Sequence, residues 1–422
     1  MTSIAKEIYF PKLSKIKEAA ITLQEVVIKT PLQENWNLSF KYGANIFLKR
    51  EDLQQVRSYK IRGAYNKIHS LTSEELKNGI ICASAGNHAQ GVALACSKKK
   101  IHGTIFMPAP TPKQKVAQVR MFGGEYVEIQ LVGDTFDDAY NAAKLVADKF
   151  KKVFVHPFND EKIIEGQGTV GLEIVEQAKE TIDYVFVPVG GGGLASGLSS
   201  VFKYLSPQTK IIGVEPAGAP SMKEAIKHDK NIALAHIDKF VDGAAVKQVG
   251  NLTYSICKEN LYEMITVPEG KVCETILEMY NKEAIVVEPA GALTISVLDM
   301  YKEEIKGKNV VCVVSGSNND ITRTAEIKER ALLYGGFKHY FIIRFPQRAG
   351  ALKEFVIDVL GANDDITFFE YSKKTSKENG PAVVGIELQK KADLKSLIER
   401  MKSRNFYGEY LNDNPNLFEF LV

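Results

Sequence analysis

The sequence predicts an α/β protein built on mostly parallel sheet, followed by a small α+β module of ferredoxin-like order. Three observations predict it. From about residue 79 to 320, short β-branched runs alternate with amphipathic stretches of helical length. These runs are apolar on both faces, as parallel strands covered by crossover helices must be. Beyond Gly335-Gly336 the texture changes to strand, helix, strand, strand, helix and a polar last strand, the β-α-β-β-α-β order. Finally, 422 residues exceed one ordinary compact core, so at least two domains are expected.

Taken in order, GIICASA precedes NHAQGVALACSKK, HGTIFMP precedes PKQKVAQVRMFG, and DYVFVPV precedes GLASGLSSVFKYL. Each pair reads as one strand and its returning helix. The last helix of this part, DITRTAEIKERALLYG, stops at the glycine pair, which closes a first domain over residues 1–334. A second domain over 339–422 then takes YFIIRFP, GALKEFVIDVLG, TFFEYSKK, PAVVGIEL, LKSLIERMK and YGEYLND as its six elements.

Composition removes several classes of function. Charged residues are 25% of the chain and nearly balanced, with a formal net charge of +3, so no basic field advertises nucleic acid. Partners should be small molecules or further copies of the chain. No apolar run reaches the roughly 18 residues of a membrane span, and MTSIAKEIYF lacks the apolar core of a signal peptide, so a cytoplasmic location is expected. Cys82, Cys96, Cys257, Cys273 and Cys312 are widely spaced in apolar surroundings and read as packing residues of a reducing compartment, with no zinc site.

In open α/β sheets ligands sit beyond the carboxyl ends of the strands. Three such ends carry small, polar, flexible residues: Ser84-Ala85-Gly86-Asn87-His88, Gly190-Gly191-Gly192-Gly193 and Ser315-Gly316-Ser317-Asn318. Any one could be a turn; three together favour a cleft. Lys60 stands in Ser58-Tyr59-Lys60-Ile61-Arg62-Gly63-Ala64, before a helix expected to begin near Gly63. A nucleophilic amine, a dianion site and a partner for a ring nitrogen are what pyridoxal phosphate requires. Four glycines entering a helix can turn their N–H groups around a phosphate, with the positive helix end behind them. A rival reading takes Gly190 to Ala195 as the dinucleotide fingerprint GxGxxA, with Glu215 as the ribose-binding acid of a nicotinamide oxidoreductase. That reading leaves the lysine motif and the Ser315 loop without a role.

Together these motifs resemble those of threonine dehydratases, members of the fold type II pyridoxal-phosphate enzymes, and the resemblance covers nearly the whole chain. It implies two α/β subdomains, with Lys60 covalently holding the cofactor and Asn87 bonding its ring oxygen. Gly190, Gly191, Gly192, Gly193 and Leu194 would hold the phosphate, and Ser315 would face the pyridine nitrogen. Tyr59 stands where phenylalanine is more usual. The substrate carboxylate would lie on Ser84, Ala85, Gly86, Asn87 and His88, although His88 reads better as a residue bracing the loop. Freed Lys60 would take the α-proton. A hydroxyl at Ser315 can leave the ring nitrogen neutral, which stores a carbanion poorly and favours expulsion of a β-hydroxyl. From threonine this gives 2-oxobutanoate and ammonia, the first step of isoleucine biosynthesis.

Serine racemases of this resemblance carry a serine at the position of Ala85, and a methyl group delivers no proton, so little racemisation is expected. Glu215 stands where some relatives have a cation ligand, but Ser221 replaces the later acid, and no metal is expected. Glu288, in VVEPAGAL, is read as ending a buried strand, either near the ring or simply as a cap. The second domain resembles the ACT-like regulatory domain, with Pro346, Gly350 and Leu352 at an isoleucine site between paired modules of a homotetramer. A single such unit is present, and oligomerisation alone would be its simpler role. A serine dehydratase or racemase, a nicotinamide oxidoreductase and an inactive amino-acid sensor are the alternatives.

Overall fold

The structure is a computed structural model describing residues 9–371 and 379–414. By contacts the chain forms two units. One runs up to Glu269 and resumes over Met279–Asp320; the other takes in Gly270–Glu278 and the chain from Ile321 onward.

The first unit holds two sheets. The larger has six strands, in spatial order β1 (Leu32–Glu34), β2 (Asn45–Arg50), β10 (Asn309–Val314), β7 (Tyr184–Pro188), β8 (Lys210–Pro216) and β9 (Glu263–Val267). Only β1 runs antiparallel to its neighbour. The smaller sheet is wholly parallel, in the order β5 (Val127–Leu131), β4 (Gly103–Met107), β3 (Ile80–Ala83) and β6 (Val153–Phe154). Every residue of β3, β4 and β7 is buried, which is why these strands read as unbroken apolar runs. The edge strand β5 is partly exposed along its length. Because the strands are parallel, β7 and β10 end at the same edge of one sheet and deliver the glycine run and Ser315 side by side, while β3 delivers Ser84 from the other.

The helix Glu161–Gln177 joins these parts. A Cβ at Gly166 would stand 2.6 Å from Arg62 O, on the helix Lys60–His69. One at Gly197, on the helix Gly193–Leu205, would stand 2.4 Å from Ile164 O and 2.5 Å from Gly168 N. Only glycine permits such approach. The helix carrying Lys60 begins at Lys60 itself, three residues before the expected Gly63, with Tyr59 already in right-handed helical conformation. A second difference concerns residues 284–288, which are irregular; Glu288 ends no strand but precedes Pro289 as the N-cap of the helix Pro289–Ser296. Proline at the first helical position lacks the N–H that would be unpaired there anyway.

The second unit has four antiparallel strands, in spatial order β12 (Asp365–Tyr371), β13 (Asn379–Glu387), β11 (Lys338–Pro346) and β14 (Tyr407–Tyr410). This is the ferredoxin-like arrangement read from the sequence. Its first helix is a single α turn, Ala351–Glu354, continued by a π-helical turn Phe355–Val359; the second is Asp393–Ser403. Phe341, Phe345, Phe355, Leu397, Met401 and Phe406 fill the core between sheet and helices. Among the described residues no helix is long and apolar enough to cross a membrane. All five cysteines are buried and free.

Candidate active site

A cavity of about 860 Å³ opens beyond the strand ends of the first unit, lined among others by Lys60, the loop Ser84 to His88, Gly190, Gly191, Glu288 and Ser315. Five segments that are far apart in sequence thus converge.

Lys60 is the first residue of its helix, and its Nζ donates to Pro157 O at 3.2 Å. Protein surrounds the amine on all sides except the cavity it lines. That loss of water pulls its pKa down to about 8, against the upward pull of the Glu288 carboxylate. An amine near neutrality is a nucleophile at modest pH, which a solvated lysine is not.

The glycine run is no slack linker. Added Cβ atoms would stand 2.9 Å from Ala244 Cα at Gly190 and 2.2 Å from the Phe158 ring at Gly191. Gly192 has φ +89°, a backbone that side chains rarely adopt, and Thr253 Oγ1 pins Gly191 O at 2.6 Å. The helix Gly193–Leu205 starts here, so its first N–H groups have no partner within the helix and are left for an anion. Gly190 and Gly191 border the cavity directly. The Leu194 side chain lies in the hydrophobic core, leaving only its backbone to meet a ligand. Ser315, 2% exposed, follows β10 beside this loop and lines the cavity. An amine near neutrality, a cradle closed to any Cβ and a hydroxyl on one cavity fit pyridoxal phosphate.

Opposite lies the loop after β3. Ser84 Oγ accepts from Gly86 N at 3.2 Å, and Gly86 leads into the helix Asn87–Lys99, whose first N–H groups suit a carboxylate. His88 lines the cavity, but its Nε2 sits 2.9 Å from Val155 O. Burial, then the charge of Lys60, lowers its pKa to about 3. The neutral ring therefore donates to that carbonyl and braces the loop.

Sequence reasoning placed Glu288 at a strand end, either near the ring or as a cap, and passed over the segment after β6; the structure sets both on the cavity. Glu288, 5% exposed, accepts from Asn87 Nδ2 through Oε1 at 2.7 Å, and burial followed by the nearby charge of Asp242 pushes its pKa up to about 7. The segment His156-Pro157-Phe158-Asn159 follows β6 and supplies both the carbonyl that holds Lys60 and the ring that packs on the glycines. His156 Nδ1 shapes it by accepting from Phe158 N at 3.2 Å and Asn159 N at 2.9 Å. The rule about strand ends applied there too, but a strand of only two residues hid it.

Arg62, two residues beyond Lys60, is wholly buried between Glu51 and Glu173, at 2.8 and 2.7 Å. Lys49 Nζ joins Glu173 and also donates to Thr30 O at 2.7 Å. Burial drives the Glu51 carboxyl up, yet the Arg62 charge prevails and holds it below the usual range.

Glu215 does not face the cavity as a ribose-binding acid would. Its two oxygens accept from Met222 N at 2.7 Å and Lys223 N at 2.9 Å, capping the helix Ser221–Lys227, while Ser221 Oγ donates to Val246 O. In the second unit, Pro346 ends β11 half-buried, Gly350 has φ +87° at the start of the short helix, and Leu352 is exposed.

The fold and this site define a pyridoxal-phosphate-dependent enzyme, and the family model of that description matches residues 23–316. A second model, the C-terminal regulatory domain of threonine dehydratase, matches residues 329–421. The chain is 58% identical over 401 residues to the biosynthetic L-threonine dehydratase of Halalkalibacterium halodurans, covering 95% of this chain and 97% of that one. It is 53% identical to the Bacillus subtilis protein of the same name, over the full length of both. Among solved structures, the processed form of threonine deaminase isoform 2 from Solanum lycopersicum superposes with a TM-score of 0.71 at 39% identity, covering 77% of this chain and 97% of that one. The chain belongs to the biosynthetic threonine dehydratases, with a C-terminal regulatory domain. The nicotinamide reading therefore falls, and the residues it relied on are the glycine cradle and a helix cap.

Proposed function

We propose that this chain converts L-threonine to 2-oxobutanoate and ammonia at Lys60, as the opening step of isoleucine synthesis, under restraint by isoleucine. The observation that carries it is the convergence on one cavity of a half-buried amine with a lowered pKa, a glycine cradle and a helix N-terminus. When bound, pyridoxal phosphate supplies an electron sink that acidifies the α-carbon of the amino acid joined to it.

The chain does the rest. Backbone N–H groups at the start of the helix Gly193–Leu205 would hold the phosphate. Those at the start of Asn87–Lys99, with Ser84, Ala85 and Gly86 before them, hold the substrate carboxylate and so fix which α-bond faces Lys60. Asn87 would donate to the cofactor's ring oxygen. Lys60 Nζ takes the α-proton, its lowered basicity keeping a free amine available at modest pH. We assign the proton given to the departing β-hydroxyl to the same atom. Ser315 would offer the ring nitrogen a hydroxyl rather than a carboxylate, an arrangement that would store negative charge poorly and favour loss of the β-hydroxyl. The released enamine tautomerises and hydrolyses. Ala85, at the position where serine racemases resembling this chain carry a serine, can supply no second proton, so L-serine would be dehydrated rather than racemised.

The module from residue 339 on we assign to control, with isoleucine held at Pro346, Gly350 and Leu352. Coupling of about 1–3 kcal/mol would suffice. We further propose a cytoplasmic homotetramer with paired modules. The test is 2-oxo acid formation from threonine and from serine, with and without isoleucine, for the chain and its Lys60→Ala variant. Threonine turnover that isoleucine depresses and Lys60→Ala abolishes is the expected result; turnover surviving in the variant would refute the assignment.

A further inference from the structure

Asn318 lies three residues beyond Ser315 and lines the same cavity as Asn87. An amide side chain can point either way, donating where it might have accepted, and only its neighbours decide. Here one neighbour has no such freedom. Asn318 Nδ2 stands 2.9 Å from the Val56 carbonyl, which can only accept. Turning Asn318 round would set oxygen against oxygen. The amide keeps this direction although its own Oδ1 is buried without a protein partner.

The direction is then handed on. The second hydrogen of Asn318 Nδ2 goes to Asn87 Oδ1. Asn87 must therefore turn its nitrogen the other way, where Nδ2 meets Glu288 Oε1 at 2.7 Å. Glu288 is itself fixed by its backbone N–H, which donates to Gly316 O at 3.2 Å within the Ser315 loop. Asn87 is left with one uncommitted hydrogen on a side chain that lines the cavity. A carbonyl oxygen in its place would repel the electron-rich ring oxygen of a pyridoxal ring.

We propose that Asn318 is a positioning residue, which passes the polarity of the Val56 carbonyl to Asn87 and so compels Asn87 to act as donor toward the cofactor. This rests on the reading that Asn87 meets the cofactor's ring oxygen, and the experiment separates the two. The full-length chain and its Asn318→Asp, Asn87→Ala and doubly substituted variants are titrated with pyridoxal phosphate, and the pH dependence of the bound cofactor's absorbance is recorded. Asn318→Asp keeps the shape but removes both donated hydrogens. Each single change is expected to weaken cofactor binding about ten- to a hundred-fold, the worth of one hydrogen bond to a charged acceptor. Both should move the absorbance midpoint in the same direction, and the double variant should bind no worse than the weaker single one.

Effects that multiply in the double variant would overturn the proposal. So would an Asn318→Asp protein that binds cofactor as the native chain does while Asn87→Ala does not. An Asn87→Ala protein with native affinity would overturn the reading of Asn87 itself, and the relay with it. Should Asn318→Asp fail to fold, Asn318→Ala takes its place in the same cycle, where multiplying effects or native affinity would again overturn the relay.

Discussion

Gly166 sits on the buried helix Glu161–Gln177, facing the helix that begins at Lys60. In Gly166→Ala the new methyl would lie 2.6 Å from Arg62 O, 2.9 Å from Arg62 C and 2.8 Å from Gly63 Cα. All three are backbone atoms, so no side chain can swing aside. Carbon contacts relax only near 3.5 Å, so the helix bearing Lys60 must retreat by roughly 1 Å. Overpacking of this kind costs about 1–3 kcal/mol, and alanine returns about 0.5–1 kcal/mol of helix preference, leaving a net loss of roughly 0.5–2 kcal/mol. The kinetic effect should be larger than that suggests, because a displacement of about 1 Å at a catalytic group can cost around a hundred-fold. Gly171→Ala on the same helix is the control, since its methyl would meet Val201 Cβ at 3.1 Å and Leu198 O at 3.2 Å, with Lys60 not involved. Turnover of threonine to 2-oxo acid and the thermal midpoint are measured for both. The expected outcome is a large fall in kcat for Gly166→Ala at modest loss of stability, and near-native kcat for Gly171→Ala. Equal activity in the two variants would refute the argument that backbone contact at Gly166 places Lys60.

Removing the Arg62 charge by Arg62→Met should cost about 3–5 kcal/mol in denaturant unfolding, because Glu51 is left buried without its main counter-charge; a loss below about 1 kcal/mol would sink that account. Burial raises the Glu288 pKa from 4.5 to about 7, so between those values the folded chain holds the proton more tightly than the unfolded one, and stability falls as pH rises through the window. Glu288→Gln should flatten that slope in cofactor-free protein and melt higher than the native chain at pH 8 relative to pH 4.5; parallel melting curves across the range would contradict it. Gly350→Ala, forced into φ +87°, should blunt isoleucine inhibition several-fold while uninhibited turnover persists, as read from isoleucine titrations of 2-oxo acid formation.

What the sequence revealed of the site followed from one rule, that ligands gather past the carboxyl ends of parallel strands. It found Ser84 to His88, the glycines and Ser315 because each follows a long, wholly apolar run. It failed for His156 to Asn159, which follow a strand too short to announce itself, and whose partner Lys60 lies 97 residues away. Glu288 was misplaced because IVV before it looks like a strand, whereas Pro289 opens a helix and the run stays irregular. The start of the Lys60 helix was set late for a related reason: Gly63 suggested a boundary, but it is glycine because Gln167 and Ile163 O press against it within the helix. Glu215 fitted a spacing rule for nucleotide enzymes, yet nothing in linear order could disclose that the N–H groups of Met222 and Lys223 return to claim both its oxygens. The second unit was easier, since the texture changes past the glycine pair and its strands and helices follow in the order the structure shows.

The helix Glu161–Gln177 touches the Lys60 helix at Gly166 and the helix after the glycine run at Gly168, main chain to main chain. The interval between the two helix starts is therefore a rigid gauge, and only the Lys60 side chain itself can take up slack along it. With Lys60 and the glycine run in their proposed roles, a vitamer whose phosphate arm carried one extra methylene should bind the apoprotein more weakly, its length judged before any substrate arrives.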